Sequence, residues 1–262
     1  MRVTILDAGT GDHLMSLVDG TPLNDFPLHG MVAALEYDGL DGWHEGIDPK
    51  YEDPGEMPSQ AGAFWPEKVF LASRLVTIRG FVALLGDGGS TVSLAAARDG
   101  VAALVGRALR VSVHDESGFR EVTGYLPSRT THTRVSGAAF KFTLIIQCPD
   151  PLKYGLAVTH VLAAGVHELE LENTGTGDVA FTVSTGALIT SLDVQYGGNR
   201  VTWGGNSNGL VLDLADGRPL NPAGNETGSL VAADLIRIPS GRHTVTVTAD
   251  APITVTLRPG WK

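Results

Sequence analysis

Apolar and polar positions alternate with a period of two along most of this chain, the pattern of half-buried β-strands. Residues 1–6 read as a strand, ended by the turn Asp7-Ala8-Gly9-Thr10-Gly11, and residues 14–18 and 31–35 are shorter candidates. Residues 69–85 form the longest apolar segment. Val76, Ile78, Gly80 and Val82 share one face and Leu75, Thr77, Arg79, Phe81 and Ala83 the other, which predicts a long, mostly buried strand. Further strands are predicted over 109–114, 119–126 and 139–147, the last with Phe140, Phe142, Leu144 and Ile146 on one face. One stretch switches period. Val92, Leu94, Val101, Leu104, Val105 and Ala108 recur at spacings near three and four, predicting a helix over about 90–107. Gly86-Asp87-Gly88-Gly89 precedes it, and Ser90 or Ser93 supplies a capping oxygen. Gly100 inside the helix costs roughly 1 kcal/mol relative to alanine.

The texture changes at Cys148-Pro149-Asp150-Pro151-Leu152-Lys153-Tyr154-Gly155. Two prolines in three residues cannot continue a central strand, because each lacks an N–H and fixes its own φ. Asp150, preceding Pro151, is also pushed out of helical space. This stretch is a domain hinge, with an N-terminal domain over 1–152 and a C-terminal one over 153–262. Beyond it short strands recur about every ten residues: 157–162, 167–171, 179–184, 189–196, 200–203, 210–214, 234–238, 243–249 and 253–258. Turns such as Asn173-Thr174-Gly175, Gly197-Gly198-Asn199 and Ala215-Asp216-Gly217 separate them. That spacing predicts an antiparallel β-sandwich. The fold class is therefore mainly β.

The 262 residues carry a formal net charge of −10, unevenly spread. Nine carboxylates lie from Glu36 to Glu67 against the single Lys50, in a Gly- and Pro-containing stretch (37–65) that also holds Trp43, Tyr51, Phe64 and Trp65. This reads as a long acidic loop, and long loops in compact domains are functional or ordered by a partner. No basic stripe appears, which argues against sequence-specific nucleic-acid binding, since phosphate neutralisation supplies most of that affinity. No leader and no run of about 18 apolar residues is present, so neither secretion nor membrane insertion is expected.

No enzyme chemistry assembles. The eight histidines form no paired-ligand motif. His44-Glu45 with Asp48, Glu52 and Asp53 is oxygen-rich but lacks the alternation of a calcium loop. The one cysteine, Cys148, reads as a small buried hydrophobe. No catalytic residue, metal or cofactor is expected.

The hinge, together with Arg74-Leu75-Val76-Thr77-Ile78-Arg79-Gly80 and the following helix, resembles the distal tail (Dit) proteins of long-tailed bacteriophages. Leu171-Glu172-Asn173-Thr174-Gly175-Thr176, Leu212-Asp213-Leu214, Ile238-Pro239-Ser240-Gly241-Arg242-His243 and Pro259-Gly260-Trp261 resemble successive features of that family's galectin-like domain. The likeness covers about 70–262. It implies a tail-tube-like N-terminal split β-barrel or sandwich with one helix, and a galectin-like C-terminal sandwich. It also implies a hexameric ring in the virion, at the tail tip, assembled in the host cytoplasm. The implied partners are the tail tube protein, the tail-tip hub, the tape measure protein and receptor-binding proteins. In such a ring Trp43, Tyr51, Phe64 and Trp65 are expected to contact an adjacent subunit or partner, because exposed aromatics need cover. An alternative is an adhesin. Asn199, Arg200 and Trp203 loosely resemble the polar and stacking residues with which galectins hold saccharide. The histidine two positions before Asn199 is missing, however, and a tryptophan ending a short strand also suits a core.

Overall fold

The computed structural model describes residues 1–21, 31–50, 70–84 and 94–262. It is mainly β, with one helix among the described residues, and divides into two compact units, Met1–Lys153 and Tyr154–Lys262.

The first unit contains β1 (Arg2–Asp7), β2 (His13–Val18), β3 (Met31–Asp41), β4 (Pro49–Lys50), β5 (Phe70–Leu71) and β6 (Arg74–Leu84). Helix α1 (Leu94–Ala102), β7 (Ala108–Asp115), β8 (Gly118–Tyr125), β9 (Thr131–Arg134) and β10 (Ala139–Cys148) follow. Seven strands pair in the order β2-β1-β7-β8-β10-β6-β3. A bridge between Asp19 and Leu35 brings the two ends of this order together, so the sheet nearly closes into a barrel. Closure removes most of the unpaired edge that an open sheet exposes. Every second residue of β6 and β10 is buried: Val76, Ile78 and Val82 on one, Phe140, Phe142, Leu144 and Ile146 on the other. Their opposite faces are partly or fully exposed, so β6 is a one-sided strand rather than a mostly buried one.

The expected helix is shorter. It ends at Ala102, and Leu104 and Val105 sit in the turns that follow, Leu104 buried and Val105 exposed. The proposed caps Ser90 and Ser93 lie outside the described residues. The expected acidic loop is corrected at its start, because residues 37–41 belong to β3. That strand bulges between Leu35 and Leu40 and then resumes pairing, Leu40 with Ile78 and Asp41 with Thr77. Asp38 holds a positive φ of 51° within the bulge.

The second unit runs through β12 (Val158–Leu162), β13 (Gly165–Asn173), β14 (Phe181–Tyr196), β15 (Asn199–Asp213), β16 (Arg218–Leu220), β17 (Ser229–Ala233), β18 (Gly241–Ala249), β19 (Ile253–Leu257) and β20 (Gly260–Trp261). The short strand β11 (Lys153–Tyr154) spans the boundary between units. Four of the expected strands merge into two long ones. β14 pairs with β19 through its first half and with β18 through its second, and β15 accompanies it throughout. Register shifts near Thr185–Leu188 and Ile189–Ser191 mark where it changes partners. Such bulges bend a strand without ending it. The expected strand at 234–238 does not form: β17 ends at Ala233, residues 234–237 are irregular, and Ile238 makes a single bridge with Val179.

Candidate functional site

The junction motif brings two buried cations together at the end of the first unit. Arg74 occupies the inward parity of β6, in step with Val76 and Ile78, and is 4% exposed; Lys153 is also 4% exposed. Arg74 Nε donates to the Pro151 carbonyl (2.9 Å), and Nη1 donates to the carbonyls of Gly42 (2.7 Å) and Glu45 (3.2 Å). Lys153 Nζ donates to the Trp43 carbonyl at 2.7 Å and lies 5.7 Å from the centre of its ring. The turn at 42–45 reaches β6 only because residue 42 is glycine. Its φ is +73°, and a Cβ there would stand 1.9 Å from the Leu75 carbonyl oxygen.

Burying charge is costly unless hydrogen bonds replace the lost water. Here four backbone carbonyls do so, three from the turn and one from the junction. Burial, reinforced by Arg74 and Arg120, lowers the Lys153 pKa to about 8. Burial likewise pushes the Cys148 thiol up to about 11 despite Arg74, which makes it an inert core group. Arg74 Nη2 is buried with no hydrogen-bond partner among the described residues. The arrangement is a clamp. It fixes the 42–45 turn, the start of β6 and the exit from the first unit to one another.

The saccharide candidates are committed elsewhere. Trp203 is fully buried and its Nε1 donates to the Thr227 carbonyl at 2.8 Å, while Gly205 and Gly228 pack against its ring. It offers no face to a sugar, so its expected stacking role is corrected to a core role. Asn199 Nδ2 donates to the Leu235 carbonyl (3.1 Å), and Arg200 Nε donates to Asp193 (2.6 Å). Partial burial opposes ionisation of Asp193, but hydrogen bonds from Arg200, Thr202 and Gln195 outweigh it and hold the carboxyl below its usual range.

Of the four aromatics expected at an interface, Trp43 is 1% exposed and covered by its own chain, a correction. The Lys153 bond and the Gly42 turn draw it inward. Tyr51, Phe64 and Trp65 lie outside the described residues. Tyr37, not singled out from sequence, is 86% exposed on the β3 bulge.

A second organising point joins three separate sequence motifs. Asn173 is fully buried, and its Nδ2 donates to the carbonyls of Gly177 (2.7 Å) and Ile238 (3.0 Å) while its Oδ1 accepts from Gly175 N (3.0 Å). Gly175 lies against Gly260 so closely that a Cβ would meet the Gly260 oxygen at 2.0 Å. Asn-x-Gly, the Ile238 segment and the Pro-Gly-Trp end thus form one knot. Among the described residues no group of three His, Cys, Asp or Glu side chains is placed to hold a metal.

These features define a β-rich, two-unit protein with a nearly closed N-terminal barrel. No protein-family model matches the sequence, and no curated protein matches it. Among solved structures, the chain is similar to the Dit protein (gp 19.1) of phage SPP1, described as a paradigm of hub adsorption apparatus in phages infecting Gram-positive bacteria. The TM-score is 0.61 at 17% identity, covering 99% of both chains. A chain of the phage P2 baseplate, in its activated conformation with Ca, matches at a TM-score of 0.48 and 9% identity, covering 99% of this chain and 98% of that one. The SPP1 likeness establishes a Dit-like fold.

Proposed function

We propose that this chain is a structural protein of a bacteriophage tail tip. The observation that carries this reading is the likeness to SPP1 Dit, which extends over both units rather than over one common barrel. In this reading the N-terminal units form a hexameric ring around a channel and the galectin-like C-terminal units project from it. The ring joins the tail tube to the hub and the end of the tape measure, and scaffolds host-recognition proteins. Its work is assembly by packing, not turnover, within a virion assembled in the host cytoplasm. Two local features support a scaffold. The clamp of Arg74 and Lys153 fixes the exit of the first unit, and the Asn173 knot fixes the ends of the second. The net charge of −10 suits a lumen through which DNA passes without adhering.

Native mass measurement of the purified full chain tests the ring. Six copies of 27.5 kDa give a species of 165 kDa, and electron micrographs should show particles with a central hole. A 27.5 kDa monomer at every concentration, with no annular particles, overturns the ring reading.

A further inference from the structure

One surface of the first unit carries a cleft with positive charge on its rim, although the chain as a whole is acidic. Its volume is about 370 Å³, and Leu94, Arg98, His132, Arg134, Gly137 and Phe140 line it. Arg98 projects from α1 and Arg134 and His132 from β9, so a helix and an edge strand supply the positive charge. Leu94 and Phe140 give it an apolar floor. Among the described residues the Arg98 side chain forms no ion pair or hydrogen bond, and the Arg134 side chain donates only to the Ser136 carbonyl (3.1 Å). Burial and then Arg98 lower the His132 pKa, as expected where positive charge is in excess.

The complementary shape stands on the same unit. The β3 bulge presents Tyr37, 86% exposed, beside Asp38, which is exposed and forms no ion pair with the described residues. This projection is held in place rather than loose. Arg79 Nη2 donates to the Asp38 carbonyl (2.6 Å), and its Nη1 pairs with Asp41 at 2.7 Å. A rigid aromatic beside a carboxylate is the residue type that anchors interfaces. An apolar cleft rimmed by guanidinium groups is what receives it, the ring on the floor and the carboxylate between the arginines.

We propose that the Tyr37–Asp38 projection of one copy of this chain seats in the Arg98–His132–Arg134 cleft of a second copy. Projection and cleft are different surfaces, so the contact is head-to-tail, the kind that closes into a ring when its rotation permits. The inference rests on the ring reading and names the contact that would build it.

Two full-length variants test it: Tyr37→Ala with Asp38→Asn, which removes the aromatic ring and the charge while keeping a residue suited to the positive φ at position 38, and Arg98→Glu with Arg134→Glu, lacking the cleft. All four positions are exposed, so both variants should keep the wild-type circular dichroism spectrum and melting temperature. Each alone should self-associate at least about tenfold more weakly than wild type. Mixed, they retain one good projection and one good cleft, and should form a single 1:1 complex of 55 kDa, two 27.5 kDa chains, that grows no further. Wild-type assembly in either variant, or no complex on mixing, overturns the contact while leaving the ring standing. A wild-type chain that stays monomeric at every concentration overturns the ring and the contact together.

Discussion

Lys153 makes the stability of the first unit depend on pH in a way that one substitution can isolate. Burial lowers its pKa from an ordinary 10.5 to about 8 and raises that of neighbouring Cys148 from 9.0 to about 11. Below pH 8 the folded protein carries a buried ammonium, whose cost is fully present. Between pH 8 and 9 the folded lysine releases its proton while the unfolded one keeps it. The unfolded chain then binds more protons, so stability rises with pH, by about 1.4 kcal/mol over that unit. From pH 9 to 10.5 the unfolded Cys148 ionises while the folded thiol does not, an opposing slope of similar size, so stability levels off. Above pH 10.5 only the cysteine effect remains and stability falls. Lys153→Met removes the first effect and keeps the second. The variant should be flat between pH 8 and 9 and decline from there to about pH 11. The difference between wild type and variant should therefore swing by about 3 kcal/mol between pH 8 and 10.5. The variant also leaves the Trp43 carbonyl unpaired, an offset of about 1–3 kcal/mol that does not vary with pH. Urea unfolding followed by far-ultraviolet circular dichroism, at half-unit steps from pH 7 to 11, gives both curves. Parallel curves, within about 0.5 kcal/mol of a constant offset, would show that Lys153 is solvated and that the clamp does not form.

Other residues offer simpler checks by the same unfolding assay. Asn173→Ala removes the partners of the Gly177 carbonyl and the Gly175 N–H and leaves the Ile238 carbonyl with its Val179 N–H bond alone, and should destabilise the second unit by about 2–4 kcal/mol; a loss below about 0.5 kcal/mol would dissolve the knot. Gly100→Ala should stabilise by about 0.5–1 kcal/mol, since the position is helical and exposed and a Cβ there meets nothing within 4 Å. Trp203→Ala should cost about 3–5 kcal/mol; a fully folded, equally stable variant with altered glycan-array binding would restore the stacking role.

Much of the fold was legible because strand parity is a strong signal. Val76, Ile78 and Val82, and Phe140 to Ile146 at every second residue, are buried as the alternation predicts. Arg74 shares the inward face of its strand, and a cation on an apolar face calls for carbonyls to receive it. The bulges were harder to see. Gly186 and Ala187 look like a break between two strands, yet β14 runs through them, because a bulge absorbs residues that a turn would otherwise take. The acidic, glycine-containing composition around Trp43 reads as a loop. That composition instead serves a tight turn, Gly42 allowing the approach to Leu75 and Lys153 covering the indole. Asn173, Ile238 and Gly260 stood in separate motifs, and only the tertiary structure shows that they meet.

The most direct test of a tail-tip ring is cryo-electron microscopy of the intact tailed particle that carries this chain. The account predicts one closed ring of six copies at the distal end of the tail tube. Its first units should face the channel and its second units should lie outside them, with the 37–38 projection of each copy against the 98–134 cleft of the next. Density at the distal end that this two-unit fold cannot occupy, or the chain's absence from purified particles, would contradict it.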